Sequence, residues 1–358
     1  MSHSITDRLS LTNLTRRTWL LAVALAVSIS ACTPSTTPRP SITPTVSLKV
    51  AGATSSAPLY QHWFSDYHKQ KPNIQINYQP IGTRSEVEQF IKGKVDFGIS
   101  DVAMNDEEIA QIPQGAVFLP AIASGIVLAY NLPDVKNLRL SRQVYADIFL
   151  GKIKKWNNSA IAKLNPNTKL PDKEITVVYR TDPNGTNAAF SKHLTAISPE
   201  WKKEVGEGKT IEWPTGIRIK RSEGVTAQIQ QIEGAIGYLE YSYAQQQHLF
   251  TATLENQAGN FIKPTTKSFS LALAEVKLPE NLRTFAGDPK GTDSYPIVSY
   301  TWILAHKHYD SIEKAKALKD VLKWVLTEGQ KITQAQEYVL LPTDVVTKVQ
   351  ATVNTINP

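Results

Sequence analysis

The stretch ITVVYRTDPNGTNAAFSKHL, residues 175–194, decides how the chain is read. Its first six residues are apolar and β-branched as far as Arg180, the composition of a buried strand. From about residue 185 to 197 the pattern turns helical. The turn between holds Arg180, Asp182, Asn184, Gly185 and Thr186. A strand that feeds a helix through a polar turn is the repeating step of an α/β chain.

Working outward, the same step recurs. SLKVAG (47–52), IQINYQPIG (74–82), VDFGIS (95–100), GAIGYLEYSY (234–243) and YPIVSYTWILAHK (295–307) read as strands. Between the first two, Leu59, Tyr60, Trp63, Phe64 and Tyr67 return at helical spacing. SEVEQFIKG and GVTAQIQQI read as helices, and the chain closes with the helical EKAKALKDVLKWVLTEGQ and TDVVTKVQATVNTI. The alternation predicts an α/β class with mostly parallel sheets. About 310 residues follow the N-terminal segment, too many for one ordinary core, so two domains are expected.

Arg16 and Arg17 precede LLAVALAVSISA and then Cys32, the only cysteine of the chain. Basic flank, short apolar core and small-residue exit make residues 1–31 a secretory signal. Ile29-Ser30-Ala31-Cys32 resembles a bacterial lipoprotein box, in which the cysteine becomes a lipidated N-terminus. The two arginines fit a twin-arginine export signal as well as any basic flank. Residues 32–46, rich in Thr and Pro, form an extended tether. A lipid on Cys32 anchors the body at a membrane without spanning it. Of the formal charge of +7, the three arginines and one aspartate of residues 1–31 hold two. The lysine runs at 152–155 and 201–203 read as solvated faces, and no nucleic-acid partner is expected.

GATSSAPLY, GTRSEVEQF and DPNGTNAAF are three strand-to-helix junctions of one style. Helix N-termini present unpaired N–H groups and the positive end of the helix dipole, so several converging on a cleft would hold an anion. Taken singly, each reads as ordinary capping. Thr83 to Glu86 fits a capping box, and Asn184 suits an N-cap. Arg180 can grip an oxyanion bidentately or pair with Asp182, which would aim the fork. Asp101 ends an apolar strand, where α/β ligand sites form. A carboxylate accepts hydrogen bonds and cannot donate them. Facing a ligand, it would take a hydrogenphosphate hydroxyl and repel sulfate. It also suits a turn or a helix cap.

The chain resembles the periplasmic phosphate-binding proteins of bacterial ABC-type phosphate transporters. The resemblance is carried by GATSSAPLY, YQPIGTRSEVEQFIKGKVDFGISD, ADIFLGKIKKWNNSAIAKLNP, VVYRTDPNGTNAAFSKHL, EWPTG, EGVTAQIQQIEGAIGYLEYSYA and YPIVSYTWIL. It implies a two-lobed, type II-like clamshell with the ligand cleft between lobes. Lobe one would be 47–126 plus 296–358, and lobe two 127–295. It implies phosphate ligands at Thr54, Ser55, Thr83, Asp101, Arg180, Asn184, Gly185 and Thr186, with Asp182 partnering Arg180. It further implies a monomer, no cofactor or metal, and a membrane permease as partner. Arg84-Ser85-Glu86 stands where the family often has Ser-Gly-Gly, adding bulk and one charge of each sign near the anion. RIKRSEG (218–224) lacks glycines often seen there.

Three other roles remain to be separated. One is a receptor or sensor for another tetrahedral oxyanion. A second is a secreted phosphatase. The seven histidines show no metal-ligand pattern, no Gly-x-Ser-x-Gly elbow appears, and His306 and His308 are expected at the surface. The third is a purely structural lipoprotein, which leaves Asp101 and Arg180 without a purpose.

Overall fold

The structure is a computed structural model, and it describes residues 46–284 and 287–358. The signal segment, Cys32 and the tether lie outside the described residues, apart from Val46, which already belongs to the first strand. Among the described residues no helix is long and apolar enough to cross a membrane.

Strand β1 (Val46–Gly52) feeds α1 (Ala57–Gln70), and β2 (Ile74–Pro80) feeds α2 (Thr83–Ile91). Strand β3 (Phe97–Ser100) ends one residue before Asp101. A long strand, β4 (Ala116–Tyr130), follows. Next, β5 (Thr176–Arg180) feeds α3 (Gly185–Ile197), β6 (Ile217–Ile219) feeds α4 (Arg221–Gln231), and β7 (Ala235–Glu240) feeds α5 (Tyr241–Gln246). Strand β8 (Val298–His306) returns to the first half, followed by α6 (Ile312–Trp324) and α7 (Thr343–Asn354). The spacing that predicted α1 holds: Leu59, Tyr60, Trp63, Phe64 and Tyr67 are all buried.

The strands lie in the order β2-β1-β3-β8-β4-β7-β5-β6, with Phe250–Thr251 added beside β4. The expectation of a mostly parallel sheet needs correcting. β1, β2 and β3 are parallel, and so are β5, β6 and β7. However, β8 is antiparallel to β3 and β4, and β4 is antiparallel to β7. The sheet is therefore mixed. Every residue of β4 is buried; covered on both faces, it shows no alternation of apolar and polar residues. Pro120 sits where the β4–β8 register slips, between Thr301 and Trp302, a bulge being one of the few places a sheet accepts proline.

The register explains where a site can form. The first part of β4 pairs with β8, from Ala116↔His306 to Gly125↔Val298. Its last part pairs with β7, from Ile126↔Glu240 to Tyr130↔Ile236. The two parallel blocks run in opposite directions, so their C-terminal ends face each other across the middle of β4. This is the two-lobed clamshell, with a cleft where the strand ends meet. Five helices, α1 to α5, begin at those ends.

Three further local readings change. GAIGYLEYSY is a strand only to Glu240, and Tyr241 to Gln246 are helical. The helix predicted through EKAKALKDVLKWVLTEGQ passes through one π turn at Val325–Gly329. There the Trp63 indole donates to the Gly329 carbonyl (2.8 Å), the kind of side-chain insertion that unwinds a helical turn. His306 is buried, not at the surface, with its ring stacked 4.2 Å from that of Phe90; His308 is exposed as expected.

Candidate functional site

Where the strand ends meet, a small cavity opens between the blocks. It offers about 20 Å³ to the centre of a water-sized sphere, a little more than one water needs. Ser55 and Asp101 line it from the first block, and Gly185, Thr186 and Glu240 from the second. Four of these five were expected from the sequence.

Asp101 is held by two hydroxyls. Ser55 Oγ donates to one carboxylate oxygen, and Thr301 Oγ1 donates to the other (3.1 Å). Burial pushes the Asp101 carboxyl above its ordinary value, against the pull of Ser55, Thr301 and Arg180.

Gly185 meets Asp101 across the cleft. A Cβ on Gly185 would overlap the Asp101 side chain and lie 2.9 Å from its carbonyl oxygen. Real Cβ atoms do not sit that close to backbone, so glycine here is a condition of the two blocks meeting.

Arg180 is 1% exposed. Its guanidinium forms a two-pronged pair with Asp182, donates to Ser222 Oγ (3.1 Å), and reaches Thr54 Oγ1 in the other block (3.4 Å). Burial opposes its charge, but Asp182 and Glu240 more than offset that and keep it protonated. For Asp182, burial would raise the carboxyl, yet Arg180 and the Arg221 N–H hold it below the usual range. The pair with Asp182 is therefore present; four of the five guanidinium N–H groups are engaged, and Arg180 is not among the residues lining the cavity.

The remaining expected residues divide. Asn184 caps α3 by accepting from Asn187 N (2.8 Å), while its amide nitrogen donates to the Asp182 carbonyl (2.6 Å). Its side chain is committed to the turn and not to the cavity. Thr83 is buried at the first residue of α2, but the capping box predicted there does not form: Gly82 is the N-cap and makes no side-chain cap bond. The two charges at this junction part company. Arg84 faces solvent and pairs with Glu88 (3.3 Å). Glu86 is fully buried against Gly98, its oxygens without a hydrogen-bond partner among the described residues. Neighbouring Ser100 spends its proton on the Val102 carbonyl (2.8 Å). Burial above all, with Asp101 adding to it, pushes the Glu86 carboxyl well up.

Sequence reading missed Glu240. Its two oxygens accept from Thr186 Oγ1 and from Ser222 Oγ (2.9 Å), which links it to Arg180. Like Asp101 and Arg180, it is a charged residue ending an apolar strand, so the signal was present. Extending the strand through Tyr243 hid it. Tyr243 was missed too: its hydroxyl lies 3.0 Å from the Thr54 carbonyl and 3.1 Å from Glu223, joining the blocks beside the cavity.

Residues 38–328 match the model of the PBP superfamily domain. The chain is 42% identical over 305 residues to "Phosphate-binding protein PstS" of Pasteurella multocida, covering 84% of this chain and 88% of that one. It is 39% identical to the protein of the same name from Methanocaldococcus jannaschii, covering 91% of each. Among solved structures it resembles a putative phosphate ABC transporter substrate-binding protein with bound phosphate from Clostridium perfringens. There the TM-score is 0.60 at 20% identity, over 83% of this chain and all of that one. An ABC-type phosphate transport receptor from Vibrio cholerae aligns with a TM-score of 0.55 at 16% identity, over 82% and 100%. At such identities these two likenesses speak for the fold.

Proposed function

The chain belongs to the PBP superfamily and, within it, to the PstS phosphate-binding proteins, and from that premise we propose that it binds inorganic phosphate and delivers it to an ABC-type permease. The observation that carries the reading is the small cavity lined by Ser55, Asp101, Gly185 and Thr186, where Asp101 and Gly185 meet from opposite sides, together with the buried, Asp182-held Arg180 reaching Thr54 of the other block. Thr54, Ser55, Thr83, Gly185 and Thr186 supply hydroxyls and N–H groups at three helix starts, with the Asn184 side chain holding the third turn in shape. Asp101 takes the ion's hydroxyl, which sulfate lacks at neutral pH.

Around that site the lobes are 47–126 with 296–358, and 127–295. Cys32 carries the lipid that keeps the body outside the cytoplasmic membrane, within reach of the permease. The protein acts as a monomer and catalyses no reaction; its relatives are named for binding. Calorimetric titration of anion-stripped protein tests this reading. Tight one-to-one phosphate binding, competition by arsenate and no response to sulfate are expected. Equal binding of sulfate would remove Asp101 from the ligand. A response to another oxyanion and none to phosphate would replace the ligand.

A further inference from the structure

A second, larger cavity of about 400 Å³ adjoins the small one. The two share Asp101 and Gly185, so the larger forms a mouth to the smaller, lined also by Lys209 and Trp302. Lys209 lies in the loop between α3 and β6, in the second block. Its carbonyl accepts from the Asn184 N–H (3.1 Å) and from Asn187 Nδ2 (3.2 Å), which ties the loop to the start of α3. The Gly208 N–H adds a bond to Ser191 Oγ (3.1 Å). The Lys209 ammonium reaches across the mouth to Glu108 Oε1 (3.6 Å) in the first block. Glu108 belongs to the short helix Asp106–Ala110 that follows β3. Its other oxygen accepts from the Asn105 N–H (2.9 Å), and its own N–H donates to Asn105 Oδ1 (2.7 Å), a capping box that fixes the carboxylate. With Glu108 already fixed, the pair has only the lysine left to order. The two side chains are 29% and 26% exposed. Lys209 is felt by a second carboxyl of the first block as well: burial pushes Glu86 up, and the Lys209 ammonium pulls it the other way.

We infer that Lys209 is a positioning residue for the bound ion: its carbonyl shapes the turn that presents Gly185 and Thr186, and its ammonium latches that turn to the first block through Glu108. This rests on the phosphate reading above and deepens it. The pair spans the two blocks, so it exists only while they are together. An ion can enter before the latch forms, but it leaves only after the latch breaks. The latch therefore acts on release and leaves association nearly unchanged. Its partial exposure makes it sensitive to salt, which screens such pairs. A partly solvated pair is also weak enough to be broken each time the ion is handed on.

The test is release of radiolabelled inorganic phosphate from the loaded full chain into excess unlabelled phosphate, with association rates measured alongside, at low and at high salt. Glu108→Gln keeps the capping box, because glutamine also accepts from the Asn105 N–H. Lys209→Met keeps the main-chain carbonyl that holds Asn184. Each should speed release about two- to fivefold at low salt, the worth of one partly exposed pair, with association nearly unchanged. The double variant should release no faster than either single one, because both remove the same contact. At high salt the wild type and the variants should converge. Unchanged release in both single variants overturns the inference. So do effects that multiply in the double variant, which would mean the two residues act separately, and so does a change confined to association. Absence of phosphate binding by the unaltered chain refutes the phosphate reading and the inference with it, whereas binding with unchanged release in the variants refutes the inference alone.

Discussion

Replacing Arg180 by methionine, which is unbranched and of similar length, removes the charge while leaving the buried space it occupies filled. Arg180 is 1% exposed, and its four donor contacts end on Asp182, Ser222 and Thr54. In the variant, Asp182 loses its paired cation, and the cavity-lining Asp101 and Glu240 lose the nearby positive charge. Truncating one partner of a buried, hydrogen-bonded charge pair costs about 2–5 kcal/mol. A charge-assisted hydrogen bond to the ligand is worth roughly 1.5–3 kcal/mol. These overlap and do not add, so we expect phosphate binding to weaken by about 3–5 kcal/mol, roughly two to four orders of magnitude. The assay is calorimetric titration at pH 7 on anion-stripped protein, with a melting curve to confirm folding. Arg180→Lys keeps the charge but loses the planar fork, so it should fall between the two. A folded Arg180→Met protein whose dissociation constant stays within about threefold of wild type, a free-energy change below 1 kcal/mol, would refute the assignment.

Other consequences can be measured independently. Gly185→Ala places a Cβ on Asp101; an overpacking cost of about 1–3 kcal/mol should weaken phosphate binding roughly 10- to 100-fold, and unchanged affinity would mean the contact relaxes freely. Arg221 holds a left-handed φ of 65° while its N–H donates to Asp182. Arg221→Gly should relieve about 1 kcal/mol of strain and raise the melting temperature with affinity kept; a drop in melting temperature would contradict this. Glu86 is buried with its carboxyl pushed well above its ordinary 4.5, so the folded state binds its proton more tightly than the unfolded state. Stability is then present below that ordinary value and is lost as pH rises towards the folded one, by about 1.4 kcal/mol per unit. Glu86→Gln should melt progressively higher than wild type as pH rises from 4.5 to 7.5, and a pH-independent difference would count against a protonated Glu86.

Much of this protein is legible in its sequence because the signals are local. Apolar β-branched runs mark β1, β5 and β7, and 3.6-residue spacing marks the buried face of α1. The polar turns at Thr54, Thr83 and Asn184 mark helix starts, since a helix N-terminus must satisfy its N–H groups from nearby side chains or a ligand. Asp101, Arg180 and Gly185 stand out because a charge or a glycine at a strand end has few structural excuses.

What the sequence withheld depends on partners distant along the chain. The fifteen buried residues of β4 look like no particular element until β8 and β7 pair with its two ends. That pairing sets the two parallel blocks head to head and makes the sheet mixed. The fate of the two charges at Arg84 and Glu86 turns on which side of α2 packs against Gly98, and His306 is buried because Phe90 stacks on it. Glu240 belongs to the site because β7 stops opposite Ile126, so its carboxyl meets the cavity that Asp101 enters from the other side. Strand ends can be read one at a time, but which ends face each other is fixed by antiparallel register, a property of residue pairs separated by a hundred positions or more.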